Sequence, residues 1–202
     1  MWFEHILASN VKVLIGWGLS LLIGLLLALL RYYLPRVVQR NYLFNLLVDL
    51  IKFPPPIAWI PFVILLFGIS FWSSILVVIV GGMPSFFTSI YDILSHTEER
   101  YRNLAASLQL TKIKSVFYVS LPSQWSRIYT GARVSLGMCW MSIVASEMIS
   151  SQSGLGYLIQ IYRIDLNYEL VLVTILIIAV CGYMMNQLLL IIEKKHLSWR
   201  QA

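Results

Sequence analysis

Apolar residues along this chain gather into five long runs, at 11–30, 43–68, 74–94, 128–149 and 170–192, and the charged residues lie mainly between them. A helix that spans a bilayer needs about 20 mostly apolar residues, so each run predicts one membrane crossing. The first run carries no charge after Lys12. Glu4 and His5 precede it and no clear small-residue cleavage site follows, which predicts a retained helix rather than a signal peptide. The third run has Gly81, Gly82 and Pro84 near its middle.

The second run is irregular, with Asp49, Lys52, the triplet Pro54-Pro55-Pro56 and Pro61. Unpaired backbone groups are costly in lipid, so broken helices persist only where protein or a wet cavity surrounds them. These prolines predict an interrupted second span, either as a structural kink or as a kink that shapes a pathway. Asp49 and Lys52, three residues apart, can pair on one helix face. Gly16, Gly18 and Gly24 predict close helix packing in the first span.

Composition adds the solvent. Of the 202 residues, 59% are hydrophobic and 12% charged, against about 45–50% and about 25% in an ordinary soluble domain. The excess apolar surface has to be solvated by lipid. The net charge of +6 sits in three stretches: Arg31, Arg36 and Arg40; Arg100, Arg102, Lys112, Lys114 and Arg127; Lys194, Lys195 and Arg200. These stretches alternate correctly to share one side, and the other side holds little beyond Lys12 and Arg163. The positive-inside rule then puts the amino terminus outside and the carboxyl terminus in the cytoplasm. Cations split among loops rather than clustered on one face argue against nucleic acid.

Catalytic chemistry is not legible. Cys139 and Cys181 lie inside apolar runs without a CxxC pair, and His5, His96 and His196 are far apart, which argues against a metal site or a disulfide framework. The thiols read as small packing residues. No serine has a convincing histidine partner, and no GxxxxGK[ST] phosphate loop is present. Glu147, near the outer end of the fourth run, is either part of a translocation path or gate, or a structural hydrogen-bonding group. Arg133 reads as structural or as a contact to lipid phosphates. Trp140 and Met138 read as pathway lining or as plain packing.

The polar stretch 95–127 is the most informative. Thr97 is a fair N-cap for a helix that opens with Glu98 and Glu99. Leu104, Leu108 and Leu110 follow, then Ile113, Val116 and Phe117. The i, i+4 spacing predicts a helix with one apolar stripe, resting on lipid headgroups or in a partner's groove.

Segment 103–122, NLAASLQLTKIKSVFYVSLP, resembles the cytoplasmic signature of binding-protein-dependent ABC importer permeases. That signature reads E-A-A-x-x-x-G, nine residues, then I-x-L-P. Leu121-Pro122, Val119 and Ala105 match it. Asn103 stands at the Glu, Leu104 at the first Ala and Gln109 at the Gly. Further stretches resemble the nitrate, sulfonate, taurine and bicarbonate subgroup: Pro54-Pro55-Pro56-Ile57-Ala58-Trp59-Ile60-Pro61 with Phe67-Gly68-Ile69, and Gly131 to Gly137 followed by Trp140 and Ala145-Ser146-Glu147-Met148. Ser153-Gly154-Leu155-Gly156-Tyr157 and a tail with Glu193 and Trp199 complete the set. The resemblance runs over most of the chain. The family pattern has six spans, and this chain starts close to the second of them.

The resemblance implies an all-α membrane protein with about five transmembrane helices. It would be a single domain over 1–202 with a type I importer-like core and a cytoplasmic coupling loop at 95–127. It implies a permease in a bacterial-type inner membrane, paired with a copy of itself or another permease. ABC ATPase subunits would use the ATP, an extracytoplasmic binding protein would deliver solute, and this chain would bind no cofactor. Asn103, Leu104, Ala105, Ala106, Leu108 and Gln109 would form the ATPase-docking coupling helix, and Trp140, Glu147, Pro55 and Trp59 the translocation path. The solute would be a small anion such as a sulfonate, nitrate, taurine or bicarbonate, or else a thiamine pyrimidine precursor. The departures at Asn103 and Gln109 suit a rival reading, a degenerate permease that acts as a membrane scaffold without transporting. Gln109 also stands where Gly is the usual left-handed cap that makes the sharp turn after the helix.

Overall fold

Satisfying every backbone group internally is what makes a lipid-solvated chain helical, and the described residues contain helices and no strand. The computed structural model describes residues 2–35, 54–97, 99–150 and 152–197. The long helices are α1 (Trp2–Tyr33), α3 (Phe71–Ser95), α6 (Trp125–Ser150) and α8 (Tyr168–Leu197). Shorter ones are α2 (Pro56–Phe67), α4 (Glu99–Ser107), the single turn α5 (Lys112–Ser115) and α7 (Leu155–Ile164). A π-helical turn, Val116–Ser120, and one turn, Leu121–Ser123, join α5 to α6.

By length and hydropathy α1, α3 and α8 can each cross a membrane, and α6 with α7, bent by 49°, has the composition of a fourth, broken span or of a re-entrant loop. The first helix starts well before the apolar run, at Trp2, because Ser9 and Lys12 are turned inward and buried rather than left in water. The prolines do not break α2. Pro55 is its N-cap and Pro56 opens its first turn, where a missing N–H costs nothing, and Pro61 is carried inside it. Thr97 is not the cap of the next helix. Its hydroxyl donates back to the carbonyls of Ile93 and Leu94 and finishes α3 instead. Residues 43–53 of the second run, with the Asp49–Lys52 pairing, lie outside the described residues, as do Arg36, Arg40, Glu98, Trp199 and Arg200.

Helix α3 is the centre of the bundle. Ser70 caps it reciprocally with Ser73: the Ser73 N–H donates to the Ser70 hydroxyl (3.2 Å), and the Ser70 N–H donates to the Ser73 hydroxyl (3.0 Å). One side of α3 packs on α1 and another on α6 along a seam of small residues. A Cβ on Gly82 would run into the Cys139 thiol and crowd the hydroxyls of Ser20 and Ser135. A Cβ on Gly16 of α1 would clash with Val78, one on Gly24 would crowd Phe86 and the Met83 carbonyl, and Gly18 faces open space. The hydroxyls are spent inside the seam. Ser135 donates across it to the Gly82 carbonyl (2.9 Å), and Ser20, bonded to the Gly16 carbonyl within α1, also reaches the Ile79 carbonyl of α3 (3.4 Å). With no hydrophobic drive between helices in lipid, this close approach and these hydrogen bonds do the joining.

The described cations of these stretches, Arg31, Lys112, Lys114, Arg127, Lys194 and Lys195, gather at one end. There the Arg31 guanidinium lies 4.2 Å from the centre of the Tyr91 ring, a cation–π contact. Arg133 of α6 pairs with Glu193 of α8, which also accepts from Ser126 (3.1 Å). Arg133 is therefore structural. The same end carries α4 and a cluster in which Val116 and Leu121 pack with Ala28, Ile93 and Leu94. The most apolar stretch of α8 is unburied along its length, which leaves it to lipid or to a neighbouring subunit.

Gly82→Val should lower the apparent melting temperature in detergent by about 5 °C or more, as overpacking costs about 1–3 kcal/mol. Gly18→Ala should be neutral or slightly stabilising. Equal responses would mean that the seam does not hold the bundle.

Candidate functional site

The break between α6 and α7 leaves backbone groups that lipid cannot satisfy, and side chains from two other segments satisfy them. The Glu147 carboxylate, on the last turns of α6, is buried and takes three donors. These are the Lys12 ammonium (3.0 Å), the Ser9 hydroxyl (2.8 and 3.0 Å to its two oxygens) and the Gly156 N–H (3.1 Å). Ser9 in turn accepts from the Leu155 N–H (2.8 Å), and His5 Nδ1 accepts from the Gly154 N–H (3.0 Å). The Lys12 ammonium also donates to the Ser153 carbonyl (2.9 Å). The first three N–H groups at the α7 start are thus capped by α1 and α6, and a carboxylate stands at the positive end of the helix.

This arrangement explains the Ser153-Gly154-Leu155-Gly156 run. Gly154 has φ +121, and a Cβ on it would occupy the space of the Glu147 carboxylate. A Cβ on Gly156 would strike the Val144 carbonyl and the Glu147 stem. Of the two roles open to Glu147 in sequence, the hydrogen-bonded one is visible. Its partner was the missing inference: Lys12 is the sole cation of the first run, but 135 residues separate the pair.

The other expected pathway residues lie apart. Trp140 is buried, with its ring about 3.7 Å from where a Cβ of Gly182 in α8 would stand. Trp59 meets Phe62 edge-on within α2, and Pro55 is exposed before it. The two described clefts take their walls from other residues. One, of about 340 Å3, is lined by Lys12, the 69–71 turn and residues near 150–153; the other, of about 230 Å3, lies between α3 and α6 around Asp92 and Arg127.

Among the described side chains of α4 and its closing turn, Ala105 is buried, while Asn103, Leu104, Ala106, Leu108 and Gln109 are exposed. Leu104 and Leu108, one turn apart, are 48% and 59% exposed on an otherwise polar helix. The sharp turn survives the loss of glycine. Gln109 adopts φ 50, the Leu110 N–H donates to the Ala105 carbonyl (3.0 Å), and the Gln109 N–H donates to the Ala106 carbonyl (3.0 Å). That pair of bonds is the Schellman closure usually made around glycine. Holding a side chain in this region costs about 1–2 kcal/mol.

Comparison with known proteins bears on the family and the fold. The family described as "binding-protein-dependent transport system inner membrane component" matches residues 20–197. A protein of Methanocaldococcus jannaschii named an ABC transporter permease is 32% identical over 98% of this chain and 73% of its own length. The taurine transport system permease protein of Escherichia coli (strain K12) is 26% identical over 98% of this chain and 70% of its own. An inward-facing form of the MetNI methionine ABC transporter has a chain that superposes with a TM-score of 0.66. That match covers 93% of this chain and 92% of the other at 17% identity, a likeness of fold.

Removing one member of the Lys12–Glu147 pair should cost about 3–5 kcal/mol, since it strands a buried charge. Glu147→Gln and Lys12→Met should each lower the detergent melting temperature by about 10 °C. The double variant should fall well short of the summed loss, and a fully additive double would show that the two residues act independently.

Proposed function

The chain belongs to the family of binding-protein-dependent transport system inner membrane components, and from that membership we propose that it is the membrane permease of an ATP-driven importer for a small anion, working by alternating access. It is a transport subunit and not an enzyme; in transporters of this class ATP is used by separate partner ATPases. The observation that carries the reading is the exposed Leu104–Leu108 pair on α4, at the position of the family's docking signature. An ATPase groove would take these two side chains, as amphipathic helices dock elsewhere. Asn103, Ala106 and Gln109 would rim the contact, and Ala105 would fasten the helix to the bundle.

The cationic end of the bundle, with Arg31, Lys112, Lys114, Arg127, Lys194 and Lys195, would face the cytoplasm. The end with Lys12 and the α6–α7 turn would face the binding protein that delivers solute. The permease would pair with a copy of itself or with a related chain, and Pro55, Trp59, Trp140 and Glu147 would shape or support the path. The taurine relative supports an anionic sulfonate as cargo; a pyrimidine precursor is the alternative cargo. The retained turn at Gln109 weighs against a degenerate scaffold, because the docking element keeps its shape.

Leu104→Glu and Leu108→Glu should leave the purified permease as stable as wild type, because both side chains are exposed, yet cut ATPase co-purification and solute uptake at least tenfold, about 1.4 kcal/mol or more. Gln109→Gly should preserve both. Unchanged ATPase retention in the leucine variants would refute docking through α4.

A further inference from the structure

The cleft of about 230 Å3 between α3 and α6, at the cationic end, is lined by two opposite charges from different helices, Asp92 and Arg127. Among the described residues neither side chain makes an ion pair or a hydrogen bond. The hydroxyls around them are already spent on their own helices. Ser89 donates to the Ser85 carbonyl (2.9 Å) and Thr130 to the Ser126 carbonyl (3.0 Å), and Thr130 also accepts from Arg133 (3.1 Å). A carboxylate and a guanidinium are thus what a ligand would meet here. The helices cannot close further to pair them, because a Cβ on Gly131 would already strike the Ser89 side chain. Toward the middle of the bundle the groove turns apolar. Val134, which lines the cleft, is 54% exposed, and Met141, about two turns further along α6, is 70% exposed. Residues 127, 130, 134, 137 and 141 recur at three- and four-residue spacing and share one face of α6, and a Cβ on Gly137 would meet nothing. On the α3 side Ser85, one turn from Ser89, donates to the Gly82 carbonyl (2.9 Å) and so offers a ligand no proton. Depth is marked by Tyr91 next to Asp92 and by the exposed Trp125 at the start of α6, residue types that collect at headgroup level.

We propose that this cleft seats the headgroup of a membrane phospholipid that bears a phosphate and a primary ammonium, a phosphatidylethanolamine, with an acyl chain along the Val134–Met141 stripe. The phosphate would face the Arg127 guanidinium and the ammonium the Asp92 carboxylate, a charge-assisted contact at each pole. Both charges of the cleft are used, so neither is left uncompensated in a site that excludes water. An anionic headgroup would meet repulsion from Asp92, and a choline headgroup has no N–H to donate to it. A soluble zwitterion could satisfy the two charges but would leave the apolar stripe empty, and the stripe is what assigns the site to lipid. The site is independent of which solute the bundle carries.

The test is native mass spectrometry of the full-length permease, titrated in detergent with dioleoyl phosphatidylethanolamine, phosphatidylcholine or phosphatidylglycerol. Wild type should bind the ethanolamine lipid about threefold or more tighter than the other two. Asp92→Asn should erase that preference, and Arg127→Gln should weaken all three lipids by a similar factor. Both variants should melt with wild type in lipid-free detergent, because neither side chain has a partner to lose. Gly137→Trp, which fills the open stripe, should weaken binding and leave the order of headgroups unchanged. Equal binding of the three lipids by wild type, or a preference that survives Asp92→Asn, would overturn the proposal. So would glycerophosphoethanolamine, the headgroup without acyl chains, binding as tightly as the lipid, since the cleft would then serve a soluble zwitterion. Loss of the lipid whenever two chains associate would overturn it as well, the cleft then being covered by a second copy.

Discussion

A helix that stops inside a membrane protein must have its terminal N–H groups satisfied by something other than water, and here that duty falls on one carboxylate and its neighbours. Glu147 ends α6, Gly154 begins the next turn, and the N–H groups of residues 154–156 are met by His5, Ser9 and Glu147. Lys12 neutralises the carboxylate. Four facts that look separate in sequence follow from this one cap: a charge in the first apolar run, a charge in the fourth, a serine where α1 passes the turn, and two glycines two residues apart. Each is needed because the bend between α6 and α7 exposes backbone.

The cap fixes one end of α1 to α6, and the small-residue seam fixes the rest. Gly82 lies where α1, α3 and α6 meet, and no side chain fits there. A core this tight cannot deform gradually. Among the described residues α2, α4 and α8 lie outside the α1–α3–α6 seam. Of these α4 is the least attached. It reaches the bundle through Ala105 and through the π turn that buries Val116 and Val119. A π turn inside an otherwise helical connection is rare and is often found at functional sites.

The crossings at α1, α3 and α8 were legible because hydropathy over about 20 residues is a property of a window and not of contacts. The cation asymmetry was legible for the same reason. Local punctuation was less so. Pro61 reads as a breaker but sits inside α2, and Thr97 reads as a cap for the helix after it but closes the helix before it. Both errors have one physical origin: the groups these residues satisfy or deprive are chosen by the path of the chain, which a window does not contain. The Lys12–Glu147 pair was illegible for a stronger reason. A charge in an apolar run announces that a partner exists, but nothing local says which of several distant charges it is.

Gln109 shows the converse, a place where residue identity misleads and geometry persists. A signature glycine is a statement about backbone: one residue after the helix must turn left so that two orphan carbonyls are closed by the residues that follow. Glycine does this at no steric cost, and glutamine does it at about 1–2 kcal/mol. The closure itself yields hydrogen bonds worth about 0.5–1.5 kcal/mol each, so the bonds from Gln109 and Leu110 can offset that cost without any change in the turn. What docking through α4 would require is that Ala105 stay buried and that Leu104 and Leu108 stay exposed, one turn apart. That register is set by the helix and its closing turn. The substitution lowers the stability of the element, then, and leaves its shape.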